Sequence, residues 1–284
     1  MTATETLLAG LVDYAGLYTP AALDMRSAVS NYLAYRRGPH AFALGRFIVN
    51  LDRIPELRSA TGDSFSEMKL SVIVPAETAL EDLSYVLGDD FGLAAFEFKI
   101  NRAAEIERIS ARLPTHQDRY FEIPVGDQHE ELLDAVVACG ARAKLRMGGV
   151  IAEAFPAAKA TAVILKALAD RNIAFKATAG LHHPIRSRHP FTYEPDASSG
   201  MMHGFMNLAC AAVLLYSGGT AGEALLTLEE EDPDAWRAEP DAICCRAFRW
   251  TTDQISEARR KFLISFGSCS FTEPIRDLEV LGWL

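Results

Sequence analysis

The sequence predicts an α/β protein of the (β/α)8 TIM barrel class, and three observations carry the prediction. Short apolar runs alternate with helical patterns along most of the chain. Eight such runs fall within 284 residues, the count a closed barrel requires. Several runs carry charged residues two apart, so the charges share one face of a strand. A doubly wound open sheet is the rival, because periodicity alone does not establish closure.

The elements follow in order. A first strand is expected in "LVDYAG" (11–16), a helix in "MRSAVSNYLAYRR" (25–37) and a second strand in "GRFIVN" (45–50). "KLSVIV" (69–74) precedes a helical "ETALEDLSYVLG" (77–88), and "AAFEFKI" (94–100) precedes a helical "RAAEIERISARL" (102–113). "RYFEIPV" (119–125) leads to the helical "HEELLDAVVACG" (129–140), and "ARAKLRM" (141–147) to the long helical 157–171. "IAFKATAG" (173–180) is the seventh strand and "FLISFGSCSF" (262–271) the eighth, running into "TEPIRDLEVLG" with Pro274 near the first helical turn. The reading is one barrel domain over 1–284 with a helical insertion at 184–260, serving as a lid or a homo-oligomer contact. Within it, 201–218 is apolar nearly all round and must be covered.

Composition narrows the function. With 49% hydrophobic and 23% charged residues the chain can bury a large core. A formal net charge of -10 argues against a general nucleic-acid or membrane-surface binder. No apolar run approaches the roughly 20 residues of a membrane span, and the start lacks the basic region and cleavage site of a signal peptide, so a cytoplasmic location is expected. Cys139, Cys210, Cys244, Cys245 and Cys269 have no CxxC spacing and are expected to be reduced.

The charged strand residues carry the chemistry. Lys144 and Arg146 share one face while Ala143, Leu145 and Met147 share the other. If the apolar set meets the helices, the cations point into the barrel. The same alternation directs Glu97 and Lys99, Glu122, and Lys176 with Thr178 inward. An ion-pair network or strand ends reaching solvent would explain any one of these. The set is harder to explain, because burying charge costs several kcal/mol per ion and paired burial returns little net stability. Bringing a lysine amine from its ordinary value near 10.4 to neutrality takes about 4 kcal/mol. Lys144, beside Arg146 and across from Lys176, is expected to be driven that way and to attack a carbonyl as a Schiff-base nucleophile. Glu97 or Glu122 would move the protons.

The run from "AKLRMGG" to "AFKATAGLHHPIR" resembles the deoxyribose-phosphate aldolase group of class I aldolases, over strands four to eight. The resemblance implies that Lys144 is the Schiff-base lysine, Lys176 its cationic neighbour and Glu97 the proton-relay acid. "FGSCSFTEPIRDLEVLG" resembles that group's last unit, which implies an anion site at Gly267, Ser268 and Ser270, a role that helix N-terminal N–H groups suit. Arg146 stands where the group has Thr or Ser, "AGLHHPIR" replaces its Gly-Gly, Glu replaces Asp, and the insertion is foreign to it. The opening "DYAGLYTPAALDM" resembles uncharacterised bacterial proteins.

His182 and His183 follow strand seven at the rim where barrel active sites lie, and with Arg146 and Lys99 are expected to bind substrate. Of two adjacent histidines on a strand, only one reaches a given side. One of them with His203 and Glu122 has the ligand types for Zn, Mn or Fe, but the neighbouring lysines disfavour a dication, and neither a metal nor a cofactor is expected. Asp13 and Tyr14 end strand one near the rim, or Asp13 caps the loop; Cys269 packs; Arg186 is solvated or holds an anion. The expected function is aldolase or lyase chemistry on a small anionic metabolite bearing a carbonyl. The alternatives are a barrel isomerase or hydrolase, which could use a metal, and a non-catalytic metabolite-binding protein.

Overall fold

The computed structural model describes residues 1–79, 83, 88, 95–126 and 129–284; the helix expected over 77–88 falls largely outside them. Eight parallel strands close into a barrel: β1 (Val12–Tyr14), β2 (Leu44–Asn50), β3 (Leu70–Val74), β4 (Ala95–Lys99), β5 (Arg119–Ile123), β6 (Arg142–Arg146), β7 (Phe175–Thr178) and β13 (Leu263–Ser268). The last strand pairs with both β7 and β1, which completes the circle and excludes the open sheet.

The alternation read in the sequence is the physical basis of closure. Phe47 and Val49, Phe96 and Phe98, Ala143 and Leu145, and Phe175 and Ala177 point outward and are buried against the helices. Each large apolar side chain buried this way contributes about 1.5–3 kcal/mol. The intervening residues face inward, and many of them are polar.

Around the barrel run α2 (Met25–Arg37), α3 (Ile54–Thr61), α4 (Ala103–Ser110), α5 (Glu130–Ala138), α6 (Ala158–Asp170), α7 (Phe205–Tyr216) and α10 (Thr272–Val280), preceded at the N-terminus by α1 (Ala3–Leu8). Their ends obey local chemistry. Asp24 accepts from the Ser27 N–H to start α2, which finishes on Arg36 and Arg37 beside the negative end of the helix dipole.

The insertion is only partly helical, which corrects the expectation for 184–260. It holds a hairpin, β8 (Ser187–Pro190) with β9 (Ser199–Met202), and a three-stranded sheet of β10 (Trp236–Ala238), β11 (Ala242–Cys245) and β12 (Phe248–Thr251). Helices α8 (Ala221–Glu229) and α9 (Thr252–Lys261) complete it. The apolar stretch starts its helix at Phe205 instead of 201, because residues 199–202 pair their backbone with β8. Buried from Phe205 to Leu215, α7 packs against α6, α8, α9 and β13, so it is a helix of the ring and not a lid. All five cysteines are free.

Candidate functional site

The barrel interior is a stack of polar layers. At its centre lies Lys176 on β7, 1% exposed. Its Nζ donates to Asp13 Oδ2 on β1 (2.7 Å) and to Glu97 Oε1 on β4 (2.6 Å). Ser265 Oγ on β13 donates to Asp13 Oδ2 (2.7 Å), the Arg46 N–H to Asp13 Oδ1 (2.7 Å), and Ser71 Oγ on β3 to Glu97 Oε1 (2.5 Å). The Tyr120 ring sits 5.5 Å from the same ammonium. Below, Arg142 donates to the Tyr120 hydroxyl (2.9 Å) and pairs with Asp118 (2.8 Å).

These contacts set the charges. Burial alone would raise the Glu97 carboxyl, but Lys176 and Lys144 beside it hold it well below the usual carboxylate range. Burial alone would likewise lower Lys176, yet Asp13 and Glu97 hold it above the ordinary lysine value. Lys176 is thus a fixed ammonium, sealed beneath the site.

Above this layer, at the carboxyl ends of the strands, a cavity of about 320 Å3 opens. Its wall includes Glu97, Lys99, Glu122, Lys144, Arg146 and Thr178 from β4 to β7, and Tyr18, His182, Gly267 and Cys269 from the rest of the ring. Lys144 Nζ lies 2.9 Å from Glu97 Oε2 and 3.3 Å from Glu122 Oε2. The first contact is close but off the direction of a hydrogen bond, so Glu97 Oε2 is a buried acceptor with an ion-pair partner and no directed donor. Tyr18 donates to Asn50 Oδ1 (2.8 Å); burial and Glu97 push its phenol up, so it remains neutral.

Lys144, Arg146, Glu97, Lys99, Glu122, His182 and Gly267 therefore share one cavity, with Lys176 directly behind it. Among the described residues the crowding of Lys144 by cations does not occur: the side chains that touch its amine are two carboxylates, and Arg146, exposed, donates from Nε to the Gly148 carbonyl (3.2 Å). His183 turns the other way, its Nδ1 2.6 Å from Asp277 Oδ2 and its ring stacked 3.4 Å from His189. Ser268 and Ser270 are spent on the start of α10: Ser268 Oγ accepts from the Ser270 N–H, and Ser270 Oγ from the Glu273 N–H. Neither lies in the cavity wall, so the anion turn reduces to Gly267.

His203 donates from Nε2 to the Pro156 carbonyl (2.7 Å), away from Glu122 and His182, so those three do not assemble as a metal set. Arg186 pairs with Glu231 (3.2 Å). A larger, open groove of about 1000 Å3 lies outside the barrel between α2 and α10; Lys144, Lys176, Glu97 and Glu122 are not in its wall.

Asp13 is the chief surprise. Placed by the sequence near the rim or on a loop cap, it is 2% exposed within the barrel. Its signal was the same inward alternation, in "LVDYAG", and a lone polar residue at inward register in "LSVIV" and "LISFGS" likewise marked Ser71 and Ser265.

No protein-family model and no curated protein matches the chain. The fold and cavity define a (β/α)8 barrel with a charged pocket at the carboxyl ends of its strands.

Proposed function

We propose that the protein is a lyase of the Schiff-base aldolase type, acting on a small anionic metabolite with a carbonyl group. One observation carries the reading: of the two buried lysines, Lys144 lines the cavity between two carboxylates, while Lys176 is locked beneath it. Lys144 is the amine a substrate can reach.

The residues divide the work. Glu122, partly exposed, takes the proton from Lys144 as substrate enters, and the freed amine attacks the carbonyl carbon. The carbonyl oxygen takes one proton from the attacking nitrogen and a second from Glu122, which returns the one it accepted, and leaves as water, giving an iminium ion. Cleavage breaks the bond between the α and β carbons; its electron pair moves toward the iminium nitrogen to form an enamine, and the β-hydroxyl proton passes to a base. Protonation of the enamine carbon and hydrolysis restore Lys144. Glu97, held ionised by Lys176, supplies a fixed negative charge beside the iminium nitrogen. Arg146 and Lys99, exposed at the mouth, suit the anionic end of the substrate.

Borohydride reduction in the presence of acetaldehyde, acetone, pyruvate and dihydroxyacetone, followed by peptide mass mapping, tests the reading. A stable adduct on Lys144, absent in Lys144→Met, is expected. An unmodified Lys144 across the panel, with any activity found surviving Lys144→Met, would sink the mechanism.

A further inference from the structure

His182 lines the barrel cavity, yet its orientation is set from outside it. It follows β7 by four residues and is 8% exposed. Its Nδ1 lies 2.8 Å from Glu273 Oε2, in the first turn of α10. The Tyr193 hydroxyl, from the connection between β8 and β9, donates to the same oxygen (3.0 Å), so the carboxylate is fixed from two sides. Burial alone would raise Glu273, but the bonds from His182 and Tyr193 hold it below the usual carboxylate range.

An ionised carboxylate only accepts hydrogen bonds, so the Nδ1 of His182 carries a hydrogen, and in the neutral ring Nε2 is the acceptor. The two carboxylates that touch Lys144 stand on β4 and β5, whereas His182 belongs to the wall that follows β7 and β13. Cys269 on that wall has its thiol pushed up by burial and stays protonated. The cavity thus has one proton-handling set at the amine and a separate imidazole on another wall.

We propose that His182, oriented by Glu273, is a second acid/base of the barrel cavity, serving an oxygen of the substrate remote from the carbon bound to Lys144. The role rests on the Schiff-base reading. In cleavage, His182 Nε2 takes the β-hydroxyl proton as the carbon–carbon bond breaks and the aldehyde forms; in the reverse direction the imidazolium returns that proton to the new alkoxide. Glu273 and Tyr193 are positioning residues: Glu273 holds the tautomer, and Tyr193 holds Glu273 from the β8–β9 hairpin.

Two measurements test this. Long-range proton–nitrogen NMR spectra of the labelled protein report the tautomer: His182 protonated at Nδ1 in the wild type, and a mixed or reversed ring in Glu273→Gln. A wild-type ring protonated at Nε2 overturns the dyad whatever the chemistry of the enzyme. The second measurement uses the ketone of the trapping panel that labels Lys144, with glyceraldehyde as acceptor. His182→Asn should keep wild-type trapping and deuterium exchange at the ketone α-carbon, yet lose about 100-fold or more in carbon–carbon bond formation. Bond formation within about threefold of wild type, or a loss of trapping that parallels it, overturns the role, since general acid–base catalysis contributes about 100-fold at least. His182→Gln replaces the Asn variant if that variant does not fold. Absence of any adduct in the wild type, with any activity found surviving Lys144→Met, refutes the Schiff-base reading and this catalytic role with it, while the tautomer still decides the orientation by Glu273.

Discussion

Replacing Lys176 with Met removes the counter-ion that Asp13 and Glu97 share, and the cost is expected to be large. Breaking a buried pair by deleting one partner destabilises by about 3–5 kcal/mol, because the remaining charge is stranded. Lys144→Met should cost much less, since Glu97 keeps Lys176 and Glu122 keeps solvent, and it should instead abolish adduct formation. Urea titrations of the two variants check the ranking; equal loss in both would refute it. The pH dependence follows from the same charges. Glu97 is depressed in the fold, so its contribution is present above the ordinary carboxylate value of about 4.3 and is lost as pH falls through its folded value. Lys176 is raised, so its contribution is present below about 10.4 and is lost as pH rises through its folded value. The Tm should be level across neutrality and fall in acid. The acid fall should shrink in Lys176→Met, and a full acid limb in that variant would count against Glu97 as its source. Lys144, Glu97 and Lys176 were legible in the sequence because a charge inside an apolar run stands out. Glu273 was not, because an acidic residue near a helix start is common there for reasons of the dipole alone.

At the level of elements, the loops after β6 and β7 meet in a contact that leaves no room for a side chain. A methyl group on Gly148 would come within 2.7 Å of the Gly180 Cα, and one on Gly180 within 2.6 Å of the Phe155 ring. Gly180 also has φ +69°, in the left-handed region. Gly180→Ala is expected to destabilise by about 1–3 kcal/mol through overpacking and strain, and to weaken substrate binding by shifting the cavity wall that Gly180 shares with Thr178. Calorimetry with steady-state kinetics reads both, and wild-type values of Tm and KM would refute the contact. Six barrel strands were legible from alternation over five or more residues, and the shorter β1 and β7 because each lies within a longer apolar run, "LVDYAG" and "IAFKATAG". The five strands of the insertion were not, since three- or four-residue segments such as "WRA" and "AICC" are too short for a period of two to emerge.

Across the whole molecule, the insertion cannot be treated as a detachable lid. Its helix α7 is buried on every side and fills the ring position after β7, and Asn207 within it accepts from the Arg186 N–H (2.9 Å) and donates to the Thr227 and Glu230 carbonyls (2.8 Å each). Backbone amides of α7 should therefore exchange with solvent as slowly as those of the barrel strands, while the β8–β9 connection around Tyr193, which is exposed, exchanges fast. Hydrogen exchange read by mass spectrometry checks this; rapid exchange through α7 would show it to be peripheral. Closure itself was predicted by counting runs, but counting could not say which polar residues meet at the axis, because that depends on how all the strands tilt and stagger together.

That axial meeting has a consequence for the order in which the chain is made. Asp13 leaves the ribosome 163 residues before Lys176, and Ser265 follows Asp13 by 252. A chain halted after β5 presents Asp13 and Glu97 with neither Lys144 nor Lys176 to neutralise them. Charge balance at the centre therefore waits on β6 and β7, and the ring closes around it only once β13 has followed them.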